Sequence, residues 1–160
     1  MSENSKSNED DPSRCVLCDL QEADDGPDNL ILCRGGLTFV IMNKYPYSNG
    51  HLMVVPLRHV KDFEALTEEE GSELFRMCQR CITILRENTK AHGFNVGFNL
   101  GRAAGAGIEP HLHLHIVPRW EGDHNFMPVL GDVRVIPEHI EATYLTLRKS
   151  FLKFSLESKA

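Results

Sequence analysis

Residues 111–118 read HLHLHIVP, an alternation of histidines and apolar residues that is typical of a β-strand. Because successive side chains of a strand point to opposite faces, His111, His113 and His115 should share one face while the apolar residues enter a core. Alternate residues of a strand lie roughly 7 Å apart, so the three imidazoles could all reach one phosphate group or one metal ion. The stretch therefore predicts both a strand and a functional site.

Four further strands are predicted from runs of apolar and β-branched residues that are bounded by turn formers. The runs cover residues 30–33, 37–42, 51–56 and 94–99. Gly35 and Gly36 lie between the first two runs, which indicates a hairpin. Because strands and helices do not alternate regularly along the chain, the pattern predicts an α+β fold built on an antiparallel sheet of about five strands.

One long helix and a C-terminal helix complete the predicted fold. Residues 67–70, TEEE, form a capping box, in which side chains satisfy the free amides of a helix start. The apolar stripe that follows ends before His92 and Gly93 and consists of Leu74, Cys78, Cys81, Ile82 and Leu85. Pro137 suits the first turn of the last helix, whose apolar face contains Ile140, Tyr144, Leu147 and Phe151.

The composition of the chain limits its partners. A length of 160 residues suits one domain, which we place at residues 14–160 after a polar, disordered tail at residues 1–13. The net charge of −6 argues against nucleic-acid and membrane-surface partners. No apolar run approaches the ~20 residues of a membrane span, and the first residues lack the order of a signal peptide. The sequence therefore predicts a soluble, cytoplasmic protein.

The five cysteines suit reduced thiols or a metal site better than a disulfide framework. Cys15 and Cys18 have the spacing with which two thiolates bind one tetrahedral zinc ion, but two cysteines form only half of a site. His59 and His111 are the candidates for the other two ligands, so a structural zinc site is predicted. Ordinary reduced cysteines are the alternative for Cys15 and Cys18. Cys78 and Cys81, which also have a two-residue gap, lie on the helical stripe and are interpreted as core residues.

A glycine-rich stretch, GRAAGAG at residues 101–107, precedes the histidines. It lacks the G-x-G-x-x-G order of a dinucleotide-binding loop and leads into a strand instead of a helix, so it does not predict a Rossmann fold. Small residues still let backbone amides approach an anion beside the histidines. Three arginines, Arg102, Arg119 and Arg134, could add positive charge there.

Two segments carry a family resemblance: residues 50–59, GHLMVVPLRH, and residues 111–117, HLHLHIV. They resemble the histidine triad (HIT) family of nucleotide hydrolases and transferases, whose hallmark is His-x-His-x-His-x-x with x apolar. The resemblance spans residues 15–130. The longer string from Asn99 through the glycine-rich stretch to residues 119–126, RWEGDHNF, resembles the diadenosine tetraphosphate phosphorylase branch of that family.

The resemblance implies an enzyme that cleaves a phosphoanhydride or phosphoramidate in two steps, with dinucleoside polyphosphates as the substrate class. The middle histidine, His113, would attack the α-phosphorus and form a nucleotidyl-imidazole intermediate, and phosphate or water would then release the mononucleotide. His115 would donate to a phosphate oxygen or to the leaving group, and His51 would orient the histidine cluster. Neutral imidazole is nucleophilic near pH 7, so the residues themselves support this chemistry.

The resemblance also implies a nucleotide-binding set and no organic cofactor. Asn99 would contact the phosphate, Asn43 the ribose and Ile41 the base. Where many members carry Gln or Ser four residues before the first histidine, this chain has Gly107, so the backbone amides of Ala106 and Gly107 would replace that side-chain contact. The resemblance further implies a homodimer.

Two other functions remain open from the residues alone. A metal-dependent hydrolase would use all three histidines as ligands, although the strand lacks the following Asp-His pair that is common in such sites. A binding module would sense adenine nucleotides in the same pocket without turning them over. A covalent-histidine enzyme should keep its nucleotidyl intermediate after metal removal, whereas a metal-dependent hydrolase should not react. Replacement of His113 by asparagine should abolish turnover in the enzyme, whereas a binding module should still bind the nucleotide.

Overall fold

A computed structural model describes residues 15–106, 111–123 and 140–157. Its helices and strands are α1 (Val16–Glu22), β1 (Ile31–Arg34), β2 (Thr38–Met42), β3 (Leu52–Pro56), α2 (Glu68–Thr89), β4 (Gly93–Gly97), β5 (Leu114–Arg119) and α3 (Ile140–Glu157). The predictions for the tail at residues 1–13, Gly107, Arg134 and Pro137 fall outside the described residues.

Within the described residues, five strands form one antiparallel sheet in the order β1-β2-β3-β5-β4. β1 and β2 form the predicted hairpin, and β5 lies between β3 and β4. The strands consist largely of Val, Ile, Leu, Met and Phe, which favour a pleated, buried surface. The predicted α+β fold, with an antiparallel sheet, one long helix and a C-terminal helix, is confirmed.

The capping box of α2 forms as the sequence predicts. The Thr67 hydroxyl accepts a hydrogen bond from the backbone N–H of Glu70 at 3.2 Å, and the Glu70 carboxylate accepts one from the N–H of Thr67 at 2.9 Å. The helix ends at Thr89, because Lys90 adopts the left-handed conformation with a φ of 52°. Its end therefore lies three residues before the predicted stop at His92, and a lysine instead of a glycine occupies the left-handed position.

The core lies between the sheet and the two longer helices. α3 presents the predicted apolar face, with Tyr144, Leu147 and Phe151 buried, and the Tyr144 hydroxyl donates to the carbonyl of Ile31 at 2.9 Å. α2 buries its predicted stripe, although Ile82 is only partly buried; Met77 and Ile84, which the prediction omitted, are buried. In the part of the chain that the structure describes, no helix combines the length and apolarity that a membrane span requires.

Two local predictions differ from the structure. The strand that contains the histidine run begins at Leu114, three residues later than the alternation indicates, because the N–H of Leu112 donates to the carbonyl of Val60 and takes no part in the ladder. The seven-residue helix α1, which contains Cys18, was not predicted. It has no side-chain N-cap, so the signal that marks α2 is absent from it.

Candidate active site and metal-ligand cluster

The turn before β3 and the start of β5 bring two imidazoles into contact. Gly50 has a φ of 78°, a left-handed conformation that glycine adopts readily, and the chain then enters β3 through His51. His51 is fully buried, and its Nε2 lies 2.8 Å from Nδ1 of His115. His115 lies opposite Met53 of β3, so the sheet register holds the contact.

Hydrogen bonds determine which nitrogen of each ring carries the proton. The backbone N–H of Tyr47 donates to Nδ1 of His51 at 3.1 Å, so that nitrogen holds a lone pair and the proton of neutral His51 lies on Nε2. His51 Nε2–H then donates to His115 Nδ1. Neutral His115 must consequently carry its own proton on Nε2, which makes this nitrogen a hydrogen-bond donor.

His113 has the complementary arrangement. Its Nδ1 lies 2.8 Å from the carbonyl oxygen of His111. Because a carbonyl oxygen only accepts, Nδ1 carries the proton and Nε2 holds the lone pair. The rings of His113 and His115 are 4.7 Å apart between centroids, at an interplanar angle of 71°. A nucleophilic nitrogen and a ring with an N–H donor are therefore neighbours.

Burial keeps these imidazoles neutral. Desolvation lowers the pKa of His51 to about 3, with smaller contributions from His115 and His113. It lowers the pKa of His115 to about 4, and it lowers the pKa of His113 against the opposing effect of the hydrogen bond to His111. At pH 7 the cluster is therefore uncharged, which is the state in which an imidazole can attack phosphorus.

Two cavities open onto the histidines. The smaller has a volume of about 360 Å³ and is lined by His113 together with Lys61, Asn99, Gly101, Ala106 and Leu112. The larger has a volume of about 750 Å³ and is lined by His115 together with Tyr47, Asn95, Asn99, Arg119 and Trp120. Asn99 lines both cavities.

The other predicted nucleotide-binding residues, Asn43 and Ile41, lie in different surroundings. The Asn43 amide nitrogen lies 3.5 Å from His51 Nδ1, so Asn43 belongs to the histidine cluster. Ile41 is 3% exposed in the core and lines neither cavity. Among the predicted arginines, Arg119 is ion-paired with Asp123 at 2.7 Å beside the larger cavity, and Arg102 is exposed in a 3-10 turn.

The four predicted metal ligands come together at one point. Single ligand atoms of Cys15, Cys18, His59 and His111 all lie within 4.8 Å of one another. Cys15 immediately precedes α1 and Cys18 lies in its first turn, whereas His59 follows β3. The sulfur of Cys15 lies 3.3 Å from Nδ1 of His111, and the sulfur of Cys18 lies 3.2 Å from Nδ1 of His59 and 3.4 Å from that of His111.

The chemistry of this donor set fits zinc. Tetrahedral bonds of about 2.3 Å to sulfur and 2.0–2.1 Å to nitrogen separate such ligand atoms by about 3.5 Å, close to the observed distances. His111 donates its Nε2–H to the carbonyl of Pro56 at 2.8 Å, which leaves the Nδ1 lone pair directed at the thiols. Burial and the neighbouring Cys15 raise the pKa of the Cys18 thiol to about 11, so a bound cation is needed to hold the Cys18 sulfur as a thiolate near pH 7.

The triad histidines divide between two sites. Across residues 15–106, 111–123 and 140–157, the Cys-Cys-His-His cluster is the one group of three or more His, Cys, Asp or Glu residues placed to hold a metal ion. Of the triad it contains only His111. Three histidines that share one metal, as the metal-dependent hydrolase requires, are therefore not present as a ligand set in this part of the chain.

Three backbone groups in the site were not predicted, and one of them is the His111 carbonyl that sets the tautomer of His113. The N–H of Tyr47 sets the tautomer of His51, and the carbonyl of Pro56 sets that of His111. Turn formers at residues 45–50 indicated a loop before β3, but residue types carry no information about which amide faces a ring nitrogen. The Tyr47 ring also lies 4.7 Å from the His51 ring.

Comparisons with known proteins agree with this geometry. The HIT domain family model matches residues 27–122. AP-4-A phosphorylase of Mycobacterium tuberculosis is 46% identical over 116 residues, which cover 72% of this chain and 60% of the relative. Bis(5'-adenosyl)-triphosphatase of Dictyostelium discoideum is 34% identical over 87 residues, which cover 54% of this chain and 58% of the relative. The chain thus spans about 60% of the length of these curated relatives.

A solved structure extends the comparison. The zinc-bound histidine triad family protein of Mycobacterium smegmatis superposes with a TM-score of 0.71 at 26% identity, covering 92% of this chain and 99% of that chain. The structural similarity to this protein and the family-model match, which covers more than half of the sequence, indicate the same family. This chain is a member of the HIT domain family.

Proposed function

We propose that this chain cleaves dinucleoside polyphosphates, with diadenosine tetraphosphate as a representative substrate, through a covalent nucleotidyl-histidine at His113. The observation that carries the proposal is the pair of hydrogen bonds that leaves a lone pair on His113 Nε2 and a proton on His115 Nε2. The names of two relatives, AP-4-A phosphorylase and bis(5'-adenosyl)-triphosphatase, support this substrate class.

In the first step, His113 Nε2 attacks the α-phosphorus. An N–P bond forms, and the bond from that phosphorus to the oxygen bridging to the β-phosphate breaks. The leaving nucleoside polyphosphate keeps the electron pair on this oxygen, where the N–H of His115 stabilises the negative charge. Positive charge spreads over the His113 ring, and the carbonyl of His111 stabilises it through the bond to Nδ1–H.

In the second step, an oxygen of phosphate or water attacks the same phosphorus. A new P–O bond forms, the N–P bond breaks, and its electron pair returns to Nε2 of His113. When water is the acceptor, its proton passes to solvent. With diadenosine tetraphosphate, phosphate as acceptor yields ADP and ATP, whereas water yields AMP and ATP.

We propose that the nucleotide is held where the small cavity meets the histidines. Asn99, which lines both cavities, would donate to a phosphate oxygen. The backbone amides of Ala106 and Gly107 would contact the same phosphate, and Asn43 would bind the ribose beside His51. Because Ile41 lies in the core, its side chain is not placed against the base in this proposal.

We propose zinc as the ion held by Cys15, Cys18, His59 and His111. All four ligand positions are then filled by protein atoms, which is typical of a structural zinc site and leaves no position for substrate. Zinc would neutralise the two thiolates and join α1 to the segments that contain His59 and His111. The zinc-bound state of the Mycobacterium smegmatis relative supports this assignment.

We further propose a cytoplasmic homodimer. β4 is an edge strand of the sheet, and Asn95, Val96 and Gly97 on it are exposed, so a second copy could pair along it. Cys33, Cys78 and Cys81 are free thiols in the core, which suits a reducing compartment. Light scattering on the full chain tests the dimer directly.

The experiment that tests the activity is a single-turnover incubation with diadenosine tetraphosphate, with and without inorganic phosphate, read by mass spectrometry. A protein peak heavier by one AMP, absent from His113→Asn, is the expected intermediate. ADP and ATP formed only with phosphate would identify a phosphorylase, and AMP and ATP formed without it a hydrolase. His92→Ala is the matched control, because His92 is an exposed histidine outside both clusters.

Other results would contradict the proposal. Turnover by His113→Asn at the wild-type rate would exclude His113 as the nucleophile. Binding of the dinucleotide without cleavage under either condition would favour the nucleotide-sensing module. Turnover that is lost on metal removal, while no nucleotidyl-histidine ever forms in the zinc-loaded chain, would favour metal-dependent hydrolysis.

A further inference from the structure

We infer that the Cys15-Cys18-His59-His111 cluster, with zinc bound, positions His113 for attack, so that His111 acts as a positioning residue and not as a member of the catalytic set. The inference rests on the proposed role of His113 as the nucleophile. It assigns the metal cluster a function beyond stabilising the fold, namely control of the tautomer and orientation of the reacting imidazole.

Each polar group of the His111 side chain, and its carbonyl, has a separate partner. Nδ1 faces the sulfurs of Cys15 and Cys18, Nε2–H donates to the carbonyl of Pro56 at 2.8 Å, and the His111 carbonyl accepts from His113 Nδ1 at 2.8 Å. His111 is 2% exposed. One buried residue therefore connects the metal cluster to the ring nitrogen opposite the attacking one.

The β5 ladder does not hold the backbone of this connection in place, although the His111 ring is bonded to Pro56 at the end of β3. β5 begins at Leu114, so the backbone of residues 111–113 lies before the ladder. The N–H of Leu112 donates to the carbonyl of Val60 at 2.7 Å, next in sequence to the ligand His59. The segments that supply the two histidine ligands thus meet through this backbone hydrogen bond, through the bond from His111 Nε2–H to the carbonyl of Pro56, and through the cluster itself.

Loss of the metal would release the His111 ring on its Nδ1 side. Hydrogen bonds between the cysteine and histidine side chains are weaker than metal bonds, so the His111 ring and its carbonyl would sample more positions. His113 would then carry its proton on either nitrogen, and the tautomer with the proton on Nε2 has no lone pair there for attack on phosphorus. The fraction of competent nucleophile would fall without any change in the residues that hold the nucleotide.

α1 has anchors that do not depend on the metal, which makes the inference testable. Leu17 is 1% exposed in the core, and the Arg34 guanidinium donates to the carbonyls of Gln21 and Ala23 at the end of the helix. His59 is exposed and follows β3, so its replacement removes a ligand without opening the core. The docked helix should therefore survive the loss of zinc.

The experiment compares wild type, His59→Ala and the control His92→Ala, each stripped with a chelator and then reloaded with zinc alone. Three quantities are measured on the full chain: bound zinc by mass spectrometry, the His113 tautomer by ¹⁵N NMR at constant pH, and the rate of nucleotidyl-histidine formation against substrate concentration. Circular dichroism monitors the fold.

We expect zinc-free wild type and His59→Ala to show mixed tautomers of His113 and a rate of intermediate formation reduced on the order of 10- to 100-fold, as for other losses of support around a site. The substrate concentration for half-maximal rate should change by less than about two-fold, because nucleotide contacts are intact. Zinc should restore wild type but not His59→Ala, and His92→Ala should behave as wild type throughout.

An unchanged rate and a single His113 tautomer in the zinc-free chain would overturn the inference, as would failure of wild type to bind zinc. If zinc removal unfolds the chain, cadmium substitution decides. The larger ion would keep all four ligands at longer bonds and so shift the His111 ring, and an unchanged rate would also overturn the inference. Absence of any nucleotidyl-histidine in zinc-loaded wild type would instead contradict the proposed function, so the two failures are distinguishable.

Discussion

His111 and His113 are two residues apart and both buried, yet only His111 belongs to the metal-ligand cluster. Each donates one ring N–H to a backbone carbonyl at 2.8 Å. His111 donates from Nε2 to Pro56, which turns Nδ1 toward two thiols. His113 donates from Nδ1 to His111, which leaves Nε2 with its lone pair beside the His115 ring.

In these two histidines the partner carbonyl decides which ring nitrogen keeps its lone pair. A neutral imidazole has one donor and one acceptor, so fixing the donor also fixes the direction of the lone pair. Where the lone pair meets thiol sulfurs, the ring suits a metal ligand, and where it meets a cavity, it suits a nucleophile. The four predictions that follow test this division, beginning with the largest effect.

His113→Asn should lower turnover on the order of 10⁴-fold or more, because it removes the atom that forms the N–P bond. The same variant should bind zinc as wild type does, because His113 is outside the ligand set. Steady-state turnover and metal analysis measure the two effects. Loss of zinc together with activity would show that the two histidines form a single site.

His51→Leu should lower turnover on the order of 100-fold. Without the Nε2–H of His51, the proton of His115 is no longer confined to Nε2, where it faces the leaving group. His51→Gln is the matched variant, because its amide can still donate to His115, and it should retain more activity. Equal turnover by the two variants would show that the donor at this position has no role.

Zinc should stabilise the fold through the cluster alone. At a zinc concentration 100 times the dissociation constant, the free energy of unfolding should rise by about 2.7 kcal/mol. Chemical denaturation with and without zinc measures the rise, which should persist in His113→Asn and vanish in Cys15→Ala. A zinc effect of the same size in Cys15→Ala would place the ion elsewhere.

Acid should reduce stability through the buried histidines His51 and His115. Unfolded histidine titrates near pH 6.5, whereas burial lowers the pKa of His115 to about 4 and that of His51 to about 3. Between these values the unfolded state binds more protons, so the free energy of unfolding should fall as the pH drops from about 6.5 toward 4.

The expected loss is about 2 kcal/mol for each of the two histidines at about pH 5. Denaturation of the zinc-free chain at several pH values measures it and keeps ligand protonation out of the comparison. His51→Gln should lose less stability over the same range, and an equal loss would contradict the low pKa of His51.

Much of the fold could be predicted because its signals are local. Alternation marked the strands, and residues 67–70 contain the whole capping box. The sequence pattern did not predict where elements begin and end. β5 begins at Leu114 instead of His111, because the N–H of Leu112 donates to the carbonyl of Val60, which is distant in sequence. Ile41, which the family resemblance assigned to the base, is 3% exposed within the core.

The site was predictable in its chemical groups and less so in its arrangement. The spacing of Cys15 and Cys18 indicated half of a metal site, and the structure brings His59 and His111 to it. The shared face predicted for the triad does not extend to the His111 side chain, whose ring nitrogens face the cysteines and Pro56. Nothing in the alternation could indicate this, because it depends on contacts with α1 and the end of β3.

The sequence by itself determined which residues alternate, which side chains enter the core and which chemical groups the site can use, because these depend on residue type and spacing. The tertiary structure alone decided which nitrogen of each histidine carries its proton. Those protons are set by the Tyr47 amide and the Pro56 and His111 carbonyls, and Pro56 is 55 residues from His111 in sequence. Hydrogen-bond direction depends on position in space, and only the folded chain brings these groups together.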